Sequence, residues 1–542
     1  MKNDNTREQV LTNMDAKGRG DRVRSTDEQS RKPASMPGAA ADNALEWRLL
    51  ALAALLPLTA TVLLYRLDVP LGKSGKFVYL YSPFVIQRVA ALPMVVFLAA
   101  LLAAGVLLLF SPRRAARGVG GLILVLAAVG VAGWAYIAPP QFRSQHVFNM
   151  QSPSHDGAFL TEANYVLNSA VRNYLRAFPA RAQFPPEAMR GTRVVSNPPG
   201  TTLVAAATIG LLERSPTLAR WVASWGLEGE IDPVAEELII VSLGFSLTLW
   251  LLWLLAGPLL YLAGRTLLPP PTAAVFALVC LFSPMTLLFT PGKDPAQLLT
   301  VALPLWLWLL GWCRAWSWAA FLAGVAFVLA CLVSLVHVWI ACVVGVASAL
   351  GTRREGRRRF VGRVVLPVLC GSLATIGALA LLADLNFFAT AWSVARSQAA
   401  VTRGEDAMPL AWQALGIPLF LLFAGAALWC CGLWLTRRRV RDGNARFGLC
   451  LIAGSVLVMV ATVGFTNIET PRLWIPFTPL LLLGAALQLP ILRSPNRKVG
   501  ALLAMLVFVQ VGAAAVQWSL MDMREAETRL LKGEDKRARY FH

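Results

Sequence analysis

The sequence predicts an all-α fold, a polytopic helical integral membrane protein, and three observations carry that prediction. Of its 542 residues, 56% are hydrophobic and only 15% are charged, whereas soluble domains carry about 25% charged residues. Apolar runs of about 18 to 25 residues recur along the chain, long enough to cross a hydrocarbon core about 30 Å thick. The runs are also continuous. A membrane barrel would alternate apolar and polar residues, so strands are not expected.

Residues 1–45 are polar, with acidic and basic side chains nearly balanced, and read as a disordered cytoplasmic tail. They are not a signal peptide, because the charged region is long and no cleavage site follows the first apolar run. Candidate spans follow at 47–65, 86–110, 118–138, 199–213, 238–262, 272–290, 298–312, 318–350, 361–383, 409–435, 447–465, 473–490 and 499–519. That makes about 13 transmembrane helices, with bounds of about 11 to 14. The run 199–213 is short, and 318–350 has the length of one tilted helix or two short ones. Residues 46–117 hold two N-terminal spans, 118–519 form the main transmembrane domain with its loop at 139–198, and 520–542 are a short charged tail.

If each run crosses once, "SPRRAAR" (111–117), "TRREGRRRF" (352–360), "TRRRVRDGNAR" (436–446) and "RSPNRK" (493–498) share one face. The positive-inside rule makes that face cytoplasmic. The net charge of +20 is therefore a topology signal, and membrane lipids rather than nucleic acid are the expected partners. Segments 66–85, 139–198, 384–408 and 466–472 fall outside in this count, while Lys293 and Asp294 fall inside, away from them. The C-terminal tail also falls outside, against its own basic content. The abundance of Ala, Arg and Leu points to a bacterial cytoplasmic (inner) membrane.

The eight cysteines lie in or beside apolar segments and read as small packed side chains. Histidines at 146, 155, 337 and 542 are scattered, so no metal site is read, and His337 in "LVHVW" reads as a packed, hydrogen-bonded side chain.

A polar window interrupts the apolar pattern at "SHDGAFLTEANYVLNSAVRNYL". Its apolar positions from Ala158 to Phe178 approximate a helical stripe, which predicts an amphipathic helix on the membrane surface. Asp156 precedes that helix and Glu162 lies within it. A second segment, "FTNIETPRLWIPFTP" (465–479), sets Glu469 and Arg472 at the mouth of a span, where charges need a partner or a solvated cavity. Trp474 beside them suits the interface. A third segment, 381–409, is long enough for another surface helix over a cavity.

"HDGAFLTEANYVL", followed by "SNPPG" before the next apolar run, resembles the polytopic membrane glycosyltransferases of the GT-C superfamily. The nearest likeness is to the bacterial branch related to the oligosaccharide, arabinose and protein mannosyl transferases. "SPMTLLFTPGKDPAQLL" (283–299) and "ETPRLWIPFTPLLLL" (469–483) extend the resemblance over roughly 118–490. The chain departs from the family in its two extra N-terminal spans, in lacking an adjacent Asp-Glu pair, and in having Asn197 where the family's loop-to-helix element has His. The resemblance implies a GT-C-like fold, a sugar donor carried on a polyprenyl phosphate and an acceptor on the extracytoplasmic side. Asp156 would be the catalytic carboxylate, Glu162 a second acid, and Asn197-Pro198-Pro199 the loop-to-helix element. A divalent cation bridging phosphate and Asp156 is compatible with that architecture, and no residue pattern requires one.

Such chemistry needs a carboxylate within reach of the attacking hydroxyl and cations where phosphate charge develops. Asp156 fits the first role, and His155 fits one of orienting it. Arg472, with Glu469 beside it, Arg193, Arg172 and Arg143 are candidates for the second, since Arg holds phosphate bidentately. Plainer roles compete: Asp156 as a helix cap, Glu162 on a solvated face, the prolines as a chain break. Competing functions are a multi-pass transporter or lipid flippase and a non-catalytic envelope-biogenesis protein. Matching inverted halves, a common transporter signature, are not seen.

Overall fold

A computed structural model describes residues 38–67, 71–73, 77–81, 89–137, 150, 156–184, 192–226, 233–353, 356–404, 420–435, 443–462, 470–489, 492 and 496–526. The chain divides into two units, 1–47 and 48–542, and, the start of the first helix apart, everything below concerns the second. The protein is a helical membrane protein. Among the described residues seven helices are long and apolar enough to cross a bilayer, and five shorter apolar helices accompany them.

In chain order the helices are α1 (Gly38–Arg66), α2 (Leu92–Leu109), α3 (Arg114–Ile137), α4 (Gly157–Ser169), α5 (Val171–Arg181), α6 (Thr192–Val195) and α7 (Gly200–Arg214). Next come α8 (Pro216–Gly226), α9 (Pro233–Arg265), α10 (Pro270–Leu281), α11 (Pro284–Leu288), α12 (Lys293–Arg314), α13 (Ser317–Cys331) and α14 (Val336–Gly351). The last are α15 (Arg357–Ala383), α16 (Phe387–Gly404), α17 (Ala426–Leu435), α18 (Gly443–Thr462), α19 (Thr470–Leu473), α20 (Thr478–Gln488) and α21 (Arg497–Leu520).

Two runs stand out in the sequence, one long and one short, and the structure describes both. The run 318–350 is two helices, α13 and α14, separated by a turn at Leu332–Leu335. The run 199–213 becomes α7, which is not among the apolar helices of span character. It joins α4 and α9 instead, bridged to α9 by Thr208 and Thr248 hydroxyls 3.2 Å apart.

Hydrogen bonds show which helix ends share a level. The α7 N-terminus donates Gly200 N–H to Leu332 O at 2.6 Å, in the α13–α14 turn. The α12 N-terminus meets Asp156, just before α4. The end of α15 is tied to α5 where Arg172 grips Asp384 at 2.7 and 3.0 Å. At the opposite ends Trp312 of α12 donates to Thr352 Oγ1 at 3.0 Å, and its ring lies 4.4 Å from that of Phe447 in α18. Arg314, Arg353 and Arg357 to Arg359 gather at those opposite ends.

Strands also occur, against expectation, as a small antiparallel sheet beyond the helices. β1 (Leu71–Lys73) pairs with β2 (Phe77–Tyr81), and β2 pairs with β3 (Met521–Ala526), Tyr81 opposite Met521. The chain leaving α21 therefore lies beside the segment that follows α1.

Close packing holds the bundle together, since lipid tails offer little hydrophobic drive between helices. At the α13–α15 crossing a side chain on Gly324 or Gly371 would overlap the facing backbone. Backbone breaks inside the bundle must be satisfied internally. At the break before α17, Gln510 Oε1 accepts from Ala427 N–H at 3.1 Å and Gln517 Nε2 donates to Leu422 O at 3.1 Å.

Candidate functional site

Five charged side chains from four chain segments meet at the level where α7 and α12 begin. Asp156 is 7% exposed, Lys293 and Asp294 are 5% each, and the side chains of Arg193 and Arg472 are 12% each. Buried charges are costly unless paired and hydrogen-bonded, and two ion pairs do that here. Asp156 Oδ1 pairs with Arg193 Nη1, and Asp294 Oδ2 lies 2.9 Å from Arg472 Nε. Asp156 Oδ2 also accepts the backbone N–H of Lys293 at 2.8 Å, which joins the two pairs across one peptide step.

Asp156 occupies the residue before α4 but makes no side-chain cap to that helix. Its carboxylate instead satisfies the first N–H of α12, a buried helix end that would otherwise lack a partner. The simple cap reading is thereby overturned. Burial would raise the Asp156 carboxyl, but Arg193, the Lys293 N–H and the charges of Arg472 and Lys293 outweigh it and hold it below its ordinary value. The group is an ionised carboxylate at neutral pH.

The Asn197-Pro198-Pro199-Gly200 element shapes the other wall. Asn197 Nδ2 donates to Arg193 O at 2.7 Å, so its Oδ1 faces Lys293 Nζ and accepts from it. Both prolines are buried and, lacking an N–H, leave no donor to satisfy. Gly200 is required: a Cβ there would lie 2.5 Å from Leu332 O. Aromatic faces complete the lining, with Lys293 Nζ 5.7 Å from the Phe159 ring and Arg472 Cζ 5.9 Å from that of Phe289.

Other candidates lie elsewhere. Glu162 forms a bidentate pair with Arg181 at 2.9 and 3.0 Å, and Arg181 stacks over Tyr165 at 3.7 Å. Burial raises the Glu162 carboxyl, and Arg181 only partly offsets it. This unit clasps α4 to α5. Arg172 is committed to Asp384, at the surface. Arg472 pairs with Asp294; Glu469, its expected neighbour, falls outside the described residues, as do His155 and Arg143.

Lys293 and Asp294, which the span count sends to the opposite face, are central to the cluster. Their signal in the sequence is a Lys-Asp pair opening an apolar run, and a count of one crossing for every run hides it. His337 is buried; its Nδ1 donates to Ser334 O at 2.8 Å and its Nε2 lies 2.9 Å from Thr300 Oγ1. No group of three or more His, Cys, Asp or Glu is placed to hold a metal among the described residues.

An apolar groove of about 230 Å³ opens nearby between α17, α18 and α20, lined by Phe420, Leu428, Ile452, Met459, Trp474 and Leu481 among others. Trp474 is two residues beyond Arg472, so the groove and the charged cluster share a chain segment. Compared with family models and with curated proteins, the chain matches none.

Proposed function

We propose that this protein is a membrane glycosyltransferase that moves a sugar from a polyprenyl-phosphate donor to an acceptor on the extracytoplasmic side of a bacterial inner membrane. The observation that carries the reading is the buried cluster itself. Among the described residues three cations (Arg193, Lys293, Arg472) surround two carboxylates (Asp156, Asp294), an excess of positive charge that an anionic ligand would complete. The groove that Trp474 helps to line suits a lipid chain attached to that anion. A buried charge cluster in a membrane protein is by default a functional site.

In this reading the anomeric carbon is attacked by an acceptor hydroxyl. The bond to the phosphate oxygen breaks with its electron pair going to phosphate, and the hydroxyl proton goes to Asp156. As negative charge grows on the leaving phosphate, Arg193 is drawn toward it from Asp156. Losing that partner raises the proton affinity of Asp156 at the moment it must act. Arg472 and Lys293 supply charge already fixed in place, which is how preorganised sites stabilise a transition state.

A topology belongs to the same reading. The long and short apolar helices, together with the broken segment through Gly425, make about thirteen crossings. α4 to α8 stay on the extracytoplasmic side, and the basic clusters lie on the cytoplasmic one. The count equals the one made from sequence because two changes cancel: one crossing is lost at 199–213, and one is gained at 318–350.

The test uses the full chain in proteoliposomes with a panel of prenyl-phosphoryl sugars and extracted envelope acceptors, reading release of prenyl phosphate. Release should fall about 100-fold or more with Asp156→Asn, the scale of a lost general base. Passage of labelled donor between leaflets without cleavage would instead support a flippase.

A further inference from the structure

We propose that Gln297 reads a hydroxyl on the ligand held by the cation cluster, and so selects a hydroxyl-bearing headgroup over bare phosphate. The inference rests on the lipid-phosphate reading above and adds a specificity residue to it.

The argument begins with the orientation of one carboxamide. Gln297 Nε2 donates to Asp294 Oδ1 at 2.9 Å. An ionised carboxylate only accepts, so the nitrogen must face Asp294 and Oε1 must be the other end. That oxygen has no hydrogen-bond partner among the described residues, and Gln297 is 3% exposed. Native proteins leave few buried acceptors unpaired, and each calls for an explanation.

The surroundings narrow the missing donor. Asp294 holds Gln297 with one oxygen and Arg472 with the other, so the orphaned acceptor is mounted on the carboxylate that positions a phosphate-binding cation. Phosphate oxygens in their ionised form are acceptors and cannot satisfy Oε1. A sugar hydroxyl beside the phosphate can.

Helical spacing keeps the arrangement stiff. Asp294 and Gln297 are three apart on one face of α12. One turn further, Thr300 Oγ1 donates to Gln297 O at 2.9 Å and lies 2.9 Å from His337 Nε2. The Thr201 hydroxyl, also buried and without a partner among the described residues, follows Gly200 in the element that supplies Asn197. The site therefore carries cationic donors for an anion and neutral polar groups for something that is not one.

The experiment measures binding to the full chain in nanodiscs, by competition with a fluorescent prenyl phosphate. The probes are farnesyl phosphate and farnesyl phosphate carrying glucose, mannose or arabinose. At least one conjugate should bind the wild type about tenfold tighter than farnesyl phosphate, the scale of one buried hydrogen bond. Gln297→Met, close in shape but without the acceptor, should lose that margin, so that conjugate and farnesyl phosphate bind within about twofold of each other. Gln297→Leu serves where the Met variant does not fold. Losing Asp294's partner weakens both probes alike, so the ratio reports Oε1 alone. A margin that survives in the variants, or is absent from the wild type, overturns the proposal: a trapped water then fills the position and the lipid-phosphate reading stands. Failure of farnesyl phosphate itself to bind overturns both.

Discussion

Asp156 and Glu162 are carboxylates six residues apart in one polar window, and their surroundings drive them in opposite directions. Asp156 gathers an arginine, a helix N–H and two further cations, which hold it below its ordinary value despite burial. Glu162 has one arginine and is raised by burial. The linkage signs are opposite. Stability from Asp156 is present above its unfolded pKa and is lost as pH falls through the lower folded value. For Glu162 the contribution is full below its unfolded pKa and is lost as pH rises through the raised folded value. Arg181→Met leaves the Glu162 carboxylate buried without its partner and should cost about 3–5 kcal/mol at neutral pH. That cost should shrink on acidification, as Glu162 takes up a proton. Thermal unfolding in detergent at several pH values checks this, and a cost independent of pH would count against it. Glu162→Gln should cost less, because its amide oxygen still accepts from Arg181.

At the scale of elements, the sequence showed where helices would form better than what each would do. The long apolar runs became long apolar helices because continuous hydrophobicity leaves little choice in a bilayer. The run 199–213 reads as a span because "TTLVAAATIGLL" is apolar, and composition reports burial without saying whether lipid or protein provides it. Counting one crossing for every such run is what sends Lys293 and Asp294 to the other face. α16 illustrates another limit. Its inward face carries Thr390 and Ser393, both buried, while Phe388 and Trp392 are 66% and 71% exposed. Val394 is buried with them and Arg396 is exposed, so the outward face mixes aromatic and charged side chains, and the helix follows Leu381 and Leu382, 78% and 79% exposed at the end of a span. Aromatic residues there suit the headgroup level. A nitroxide at Trp392→Cys, in a background without native cysteines, should be reached more readily by oxygen than by a polar nickel reagent. Equal access to both would mean that this face lies in water.

For the whole molecule, the decisive quantity is the side on which each connection lies, because the site exists only if α4 to α7 and the start of α12 share a face. The hydrogen bonds from Gly200 to Leu332 and from Lys293 to Asp156 require that they do. The window 139–198 and the "SNPPG" element were legible because polar residues are conspicuous in an apolar chain. The partners that complete them, on α12 and α19, were not, because pairings so distant in sequence have no local signature. The proposed topology separates from the simpler count at one place. If 199–213 crossed, α8 would share the face of the basic clusters; if α7 stays with the site, α8 lies opposite them. Ser224→Cys, at an exposed position on α8, should react with an impermeant maleimide added outside intact cells, while Arg117→Cys, in a basic cluster, should react only after the membrane is opened. Protection of both would put α8 with the basic clusters and remove the buried cation excess from the extracytoplasmic face. The polyprenyl-phosphate reading would then lose the surface on which donor and acceptor have to meet.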